Sequence, residues 1–182
     1  MGFHEKSCVL SAFVGSNPTP RIFLNTFIVL VSRICMEELM LIKAGKNDWK
    51  DVLACELACK SPTYAAIDNE KDVKKLLEES EIFFLKLEDN LVGTIIYKIE
   101  KDNSAYIDGL TILPSYRGKG LATKAMGLLL NKLKSFSKVT LKVHPENTPA
   151  ILIYLKTGFK IKKWEDNPFN DGQPRLFLEK IN

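Results

Sequence analysis

The hydrophobic positions of the chain repeat in two rhythms, and the changes between them mark the elements. Residues 39–44 form a short apolar run of strand length. Residues 48–60 repeat at helical spacing, with Asp48 as the cap, Leu53, Ala54 and Leu57 on one face, and Ser61-Pro62 as the stop. A second helix spans 70–80, with Val73, Leu76 and Leu77 inward. Alternation then takes over. Residues 82–88 and 91–99 read as strands joined by a hairpin turn at Asp89-Asn90, and 105–113 as a fourth strand. An amphipathic helix over 123–134 and a strand over 138–143 follow. Thr148 is a good N-cap and Pro149 a good first helical residue. Ala150, Ile151, Tyr154 and Leu155 then recur at helical spacing until Gly158 stops the helix. Strands over 159–164 and 175–180 complete the order βααβββαβαββ, an α/β (α+β) arrangement.

Residues 1–35 follow neither rhythm, and their charges are sparse. The apolar stretch 22–31 is well short of the ~20 residues that a membrane-spanning helix needs. Ser32-Arg33-Ile34-Cys35 lacks the small-x-small pattern of a signal-peptide cleavage site. Back-translation offers another origin. Val14-Gly15-Ser16-Asn17-Pro18-Thr19 is encoded by GTG GGT TCR AAT CCC ACN, whose flanks GTGGG and CCCAC are complementary, as in the T-arm of a transfer-RNA gene. The expectation is that 1–35 is a leader read through a neighbouring tRNA gene, that Met36 is the true start, and that the working domain is 36–182.

Composition narrows the classes. With 46% hydrophobic residues the chain has enough apolar material for the core of one domain. The formal net charge of +4 comes from basic residues that form no single run, so neither nucleic acid nor a membrane is indicated as a partner. Cys8, Cys35, Cys55 and Cys59 include no Cys-x-x-Cys, and His4 and His144 supply no ligand cluster. Reduced thiols in a cytoplasmic protein and no metal are the expectation.

The chemistry begins at Arg117-Gly118-Lys119-Gly120-Leu121-Ala122, between a strand and a helix. Such a turn leaves backbone N–H groups unpaired at the positive end of a helix, which makes a seat for phosphate. Gly118 and Gly120 allow close approach, while Arg117 and Lys119 add positive charge. Neither nucleotide-loop pattern, G-x-x-x-x-G-K-[ST] or G-x-G-x-x-G followed by an acidic residue, is present. Downstream lies Val143-His144-Pro145-Glu146-Asn147-Thr148-Pro149-Ala150, and then Gly158-Phe159.

Taken together, these segments resemble the GNAT superfamily of acetyl-CoA-dependent N-acetyltransferases. Its cofactor signature Arg/Gln-x-x-Gly-x-Gly/Ala matches at Arg117, Gly120 and Ala122. Its second signature, an Asn, a Tyr seven residues later and then Gly-Phe, matches at Asn147, Tyr154, Gly158 and Phe159. The resemblance spans about 39–180 in element order and is sharp over 105–159. It implies a mixed twisted sheet of about seven strands with helices on both faces, in which the fourth and fifth strands splay apart. It further implies that Leu110, Thr111 and Ile112 offer backbone hydrogen bonds to the pantetheine arm. The turn Arg117, Gly118, Lys119, Gly120, Leu121 and Ala122 would seat the pyrophosphate, and Asn147 would bond the cofactor's amides. Tyr154 would protonate the departing thiolate, a role that suits a phenol neutral at pH 7.

The general base stays open. Relatives often carry a Glu near this part of strand four; here Asp108 or Tyr106, acting through a water, is the candidate. Lys142 stands where N-terminal-amine acetyltransferases often place Glu or His, and the lone His144 is a candidate of suitable pKa or a structural residue. Residues 164–175 either line the acceptor side or simply turn at Asp171-Gly172. The implied activity is direct transfer of acetyl from acetyl-CoA to a primary amine, on a small molecule or a protein N-terminus, by a monomer or homodimer. Another acyl-CoA as donor, or a non-catalytic CoA-binding sensor, are the alternatives.

A chain beginning at Met36 is expected to fold and to bind acetyl-CoA as the full chain does, because every expected element lies after that residue. Thermal melting and limited proteolysis check this. A melting temperature several degrees lower, or a protease-resistant leader, would place residues 22–31 in the folded domain.

Overall fold

A computed structural model describes residues 38–182. The expected leader 1–35, the start at Met36, and Cys8, Cys35 and His4 lie outside the described residues. Among the described residues there are seven strands: β1 (Leu39–Lys43), β2 (Glu81–Leu87), β3 (Asn90–Ile99), β4 (Ser104–Ile112), β5 (Lys138–Val143), β6 (Lys160–Glu165) and β7 (Arg175–Ile181). Four helices join them: α1 (Trp49–Cys59), α2 (Glu70–Glu79), α3 (Leu121–Lys132) and α4 (Thr148–Lys156). The element order is the expected one. The strands form one sheet in the order β1-β2-β3-β4-β5-β7-β6. Every pairing is antiparallel except that of β4 with β5. Among the described residues no helix is long and apolar enough to cross a membrane.

Alternation along β2 shows how the sheet is covered. Ile82 and Phe84 pack in a cluster with Val52 of α1 and Val73 and Leu76 of α2. Phe83, Leu85 and Leu87 point the other way, into the main core with Leu121, Ala125, Met126 and Leu129 of α3. Successive strand side chains point to opposite faces, so α1 and α2 lie on one side and α3 on the other. Burial of both faces explains why β2 and β3 are nearly continuous apolar runs.

Local details depart from expectation. The buried face of α1 is Val52, Cys55, Glu56 and Cys59, whereas Leu57 is exposed and Leu53 only partly covered. Apolar residues occupy most of the circumference of this helix, so its periodicity selects no face and packing decides. Asp48 stands at the N-cap position of α1 but makes no side-chain capping bond to that helix. Its carboxylate accepts from the Gly45 N–H at 2.7 Å and closes a 3-10 turn, Lys46–Asp48. Leu87 pairs with Asn90, so the hairpin loop is Glu88-Asp89, with Glu88 at φ 52°, and Asn90 already belongs to β3. Helix α3 begins two residues earlier than its apolar pattern indicates.

The end of β4 is anchored to β3. Thr94 N donates to Thr111 Oγ1 at 3.1 Å, and the two hydroxyls lie 2.7 Å apart. Gly93 pairs with Ile112, and a Cβ on Gly93 would stand 2.0 Å from the Thr111 carbonyl oxygen. Gly93→Ala should therefore push β3 from β4 and destabilise the fold by about 1–3 kcal/mol, the usual scale of overpacking. Urea unfolding measures it, and an unchanged midpoint would mean that the strands separate there without cost.

Candidate active site

The pairing of β4 with β5 runs from Ser104↔Lys138 to Ile107↔Leu141 and ends there. Strand β4 continues to Ile112 and β5 to Val143; the register against β3 shifts at Asp108, and from Gly109 onward β4 keeps its β3 neighbour and loses the other. A cavity of about 590 Å³ lies against this open edge. Leu110, Thr111 and Ile112 form its β4 wall, Cys59, Ser61, Thr63 and Tyr64 a second wall, and Asn147, Ala150 and Tyr154 the α4 side.

At one end of the cavity is the glycine-rich turn. Gly118 and Gly120 have φ of 76° and 74°, in the left-handed region that glycine enters freely. Gly120 at this angle delivers the chain directly into α3, which accounts for the early start of that helix. A Cβ at either position would meet nothing within 4 Å, so the space over the turn is open. The first N–H groups of α3 have no intrahelical partner, and Leu121, Ala122 and Thr123 line the cavity. Arg117 also lines it, and its Nε donates to the Ile112 carbonyl at 2.9 Å, tying the turn to the end of β4. Lys119 is not in the lining; its ammonium stands 5.2 Å from the centre of the Tyr116 ring.

Helix α4 supplies the opposite wall. Its cap is Asn147, not Thr148: Asn147 Oδ1 accepts from Ala150 N at 3.3 Å. Asn147 lines the cavity while holding the helix start. At the other end, Gly158 N donates to Leu155 O at 3.1 Å and Phe159 N to Tyr154 O at 3.0 Å. This is a Schellman ending, with Gly158 at φ 94°. Its accompanying apolar contact is the edge-to-face pair of Tyr154 and Phe159, with ring centres 5.9 Å apart. The Tyr-to-Gly-Phe spacing therefore closes the helix and aims Tyr154 at once. Burial pushes the Tyr154 phenol up to about 12, which keeps it protonated at neutral pH.

A second, smaller cavity of about 100 Å³ adjoins the first and shares Thr63, Tyr64, Leu110, Asn147, Ala150 and Tyr154 with it. Its own lining includes Asp108, Lys142, His144, Phe169 and Arg175. The charged groups there are paired. Asp108 meets Lys98 at 2.7 Å, Lys142 meets Glu165 at 2.7 Å, and Arg175 meets Asp171. Hydrogen bonds from Lys142 and Lys163 hold the Glu165 carboxyl below the usual carboxylate range. His144 is buried; its Nδ1 accepts from Glu146 N at 3.2 Å, and its Nε2 lies 3.2 Å from Gln173 Oε1. These contacts assign the proton to Nε2 and give the ring a structural task. Phe169 brings the long loop to the cavity, and Asp171 also organises the turn by accepting from Gln173 N at 3.0 Å. Tyr106 lies where β4 and β5 still pair and lines neither cavity; burial pushes its phenol well up.

Two residues at this junction escaped sequence reasoning. Glu56 of α1 is 2% exposed, and Tyr64 donates its hydroxyl to the two carboxylate oxygens at 3.0 and 2.9 Å. The available signal was a Glu inside the otherwise apolar stretch 52–59. Among the described residues no three metal-ligating side chains converge.

Comparison with known proteins agrees with this geometry. The acetyltransferase (GNAT) family matches residues 49–159, which include both cavities' β4, turn and α4 residues. Ard1 from Thermoplasma volcanium superposes with a TM-score of 0.68 at 20% identity, over 79% of this chain and 97% of that one. The ribosomal-protein-S18-alanine N-acetyltransferase of Escherichia coli gives 0.67 at 19% identity, over 79% and 94%. A spermidine N-acetyltransferase from Vibrio cholerae gives 0.67 at 18% identity, over 80% and 95%. At these identities the likeness is one of fold. The parted strands, the open glycine turn and the aimed tyrosine accompany a family match over most of the chain, which belongs to the GNAT family of acetyltransferases.

Proposed function

We propose that residues 36–182 form a cytoplasmic N-acetyltransferase that moves the acetyl group of acetyl-CoA directly to a primary amine in a ternary complex. The observation that carries this reading is the position of Tyr154, which lines both the large cavity and the small one. A donor in the large cavity and an acceptor in the small one would meet at its hydroxyl. The edge of Leu110, Thr111 and Ile112 has no β5 partner, although the Ile112 carbonyl is taken by Arg117, and it suits the amides of a pantetheine arm, since an unpaired strand edge pairs with extended amide chains. The turn from Arg117 to Ala122 suits the pyrophosphate, through main-chain donors and the dipole of α3.

Acyl transfer needs the acceptor nitrogen free of its extra proton and the leaving sulfur supplied with one. A phenol held protonated by burial is fitted to the second task. Asp108 also lines the acceptor cavity, although one of its oxygens is engaged by Lys98. The small volume beside Tyr154 suits a slender primary amine, on a small molecule or at the end of a peptide. In the names of the structural neighbours, spermidine and an alanine of a ribosomal protein are the acceptors, and both present amines.

Gly120→Asp places a negative charge where the pyrophosphate would sit, in a backbone conformation that Asp tolerates better than most residues. Calorimetry is expected to show loss of CoA binding with the melting temperature nearly kept, and unchanged affinity would remove this site from consideration. Tyr154→Phe keeps the packing against Phe159 and removes the proton donor. With a panel of primary amines and peptides and thiol release as the readout, turnover should fall about a hundredfold or more while CoA affinity stays the same. Full activity in the Phe variant would assign Tyr154 a structural role.

A further inference from the structure

Glu56 is a carboxylate in the wrong place for a structural residue. It sits on the buried face of α1 among Val52, Cys55 and Cys59, 2% exposed and with no cationic partner among the described residues. Its hydrogen bonds come from the Tyr64 hydroxyl, at 3.0 and 2.9 Å, and more weakly from Ile67 N at 3.4 Å. A buried carboxyl without a counter-charge is costly, and such groups gather where proton chemistry needs them. Tyr64 lines both cavities, so its hydroxyl connects the junction near Tyr154 to a carboxylate that solvent does not reach.

The sheet makes room for this connection. Gly109 follows Asp108, just past the last β4–β5 pair, and a Cβ there would stand 3.1 Å from the Tyr64 hydroxyl oxygen. The backbone of β4 thus lets the phenol lie against the opening. The titratable and charged groups around the pair are Asp108 of β4, itself bound to Lys98 of β3, Tyr154 of α4, and Cys55 and Cys59 of α1. Burial raises the Glu56 carboxyl, the Tyr64 and Ile67 hydrogen bonds oppose this, and the charge of Asp108 adds to it. The net direction is upward, which makes Glu56 a stronger proton acceptor than an ordinary Glu.

We propose that the Tyr64 hydroxyl relays the proton of the incoming ammonium to Glu56, with Tyr64 as the catalytic residue and Glu56 as the positioning residue that receives the proton. This rests on the acyl-transfer reading above. The ammonium gives one proton to the Tyr64 oxygen as Tyr64 passes its own to Glu56. The free amine attacks the acyl carbon, the C–N bond forms and the C–S bond breaks. Tyr154 gives its proton to the sulfur and regains one from the nitrogen. Glu56 returns its proton through Tyr64 to water when products leave, so the net release is one proton per turnover.

The test is the pH profile of Glu56→Gln, which keeps the shape and one acceptor oxygen. Turnover at pH 7 should fall about a hundredfold or more, with CoA affinity unchanged, and the acidic limb of kcat/KM should move up toward the pKa of the amine itself. Tyr64→Phe should shift the limb in the same direction, and it decides the matter if the Gln variant does not fold. Activity within about threefold and an unmoved limb overturn the relay. Infrared titration of the ligand-free protein is the second readout. One carboxyl, absent in Glu56→Gln, should deprotonate above the ordinary Glu range, and higher still in Tyr64→Phe, where a stabilising hydrogen bond is lost. An ordinary Glu titration overturns the proposal. A wild type that binds acetyl-CoA but releases no thiol with any amine sinks the transferase reading as well, whereas an active wild type matched by Glu56→Gln sinks the relay alone.

Discussion

The separation of β4 from β5 after Ile107 and Leu141 is the constraint on which the site depends. A parallel pair that stayed joined would fill the space now occupied by the large cavity and would cover the edge of Leu110 to Ile112. The opening is tolerable because β4 stays paired with β3 from Gly109 to Ile112, beyond a bulge at Asp108, and is held there by the Thr94–Thr111 hydroxyl contact and the close approach at Gly93. A strand held by one neighbour can offer its free edge to a ligand without losing its place.

The two ends of the opening are set by helix termini. At the start of α3, a left-handed Gly120 turns the chain and leaves main-chain donors facing the cavity. At the end of α4, the Schellman closure of Gly158 and Phe159 holds the Tyr154 ring edge-to-face. The residues that stop the second helix are also the ones that aim its phenol. A spacing that reads as a family signature is, in physical terms, a helix ending with its apolar contact. Asn147 works in the same way at the other end of α4, as cap and lining residue together.

The small cavity is built differently, from paired charges. Asp108 with Lys98, Lys142 with Glu165, and Arg175 with Asp171 leave the small cavity with charged walls whose partners are already present. The Phe169 ring centre is 5.5 Å from Lys142 Nζ and 5.3 Å from the Arg175 guanidinium carbon, and these contacts tie the loop to the cavity wall. Glu56, which lies behind Tyr64 and lines neither cavity, differs from those paired carboxylates in having a hydroxyl in place of a cation.

The element order, the glycine turn and the α4 signature were legible in the chain because each rests on local physics: side-chain period, positive φ and helix capping. The face that α1 buries was not legible, because Val52, Leu53, Cys55, Leu57 and Cys59 surround most of its axis and only contact with the sheet chooses among them. For the same reason, Glu56 read as one more helix residue, and its link to Tyr64 needed the fold to bring helix, loop and β4 together. Tyr106 and Asp108 lie two residues apart on β4, yet the register against β3 shifts at Asp108 and the β4–β5 pairing ends between the two, which leaves only Asp108 beside a cavity. Local sequence determines turns, caps and periods. Where two strands part, and which buried groups then meet, is decided by contacts between residues far apart in the chain, which no local pattern encodes.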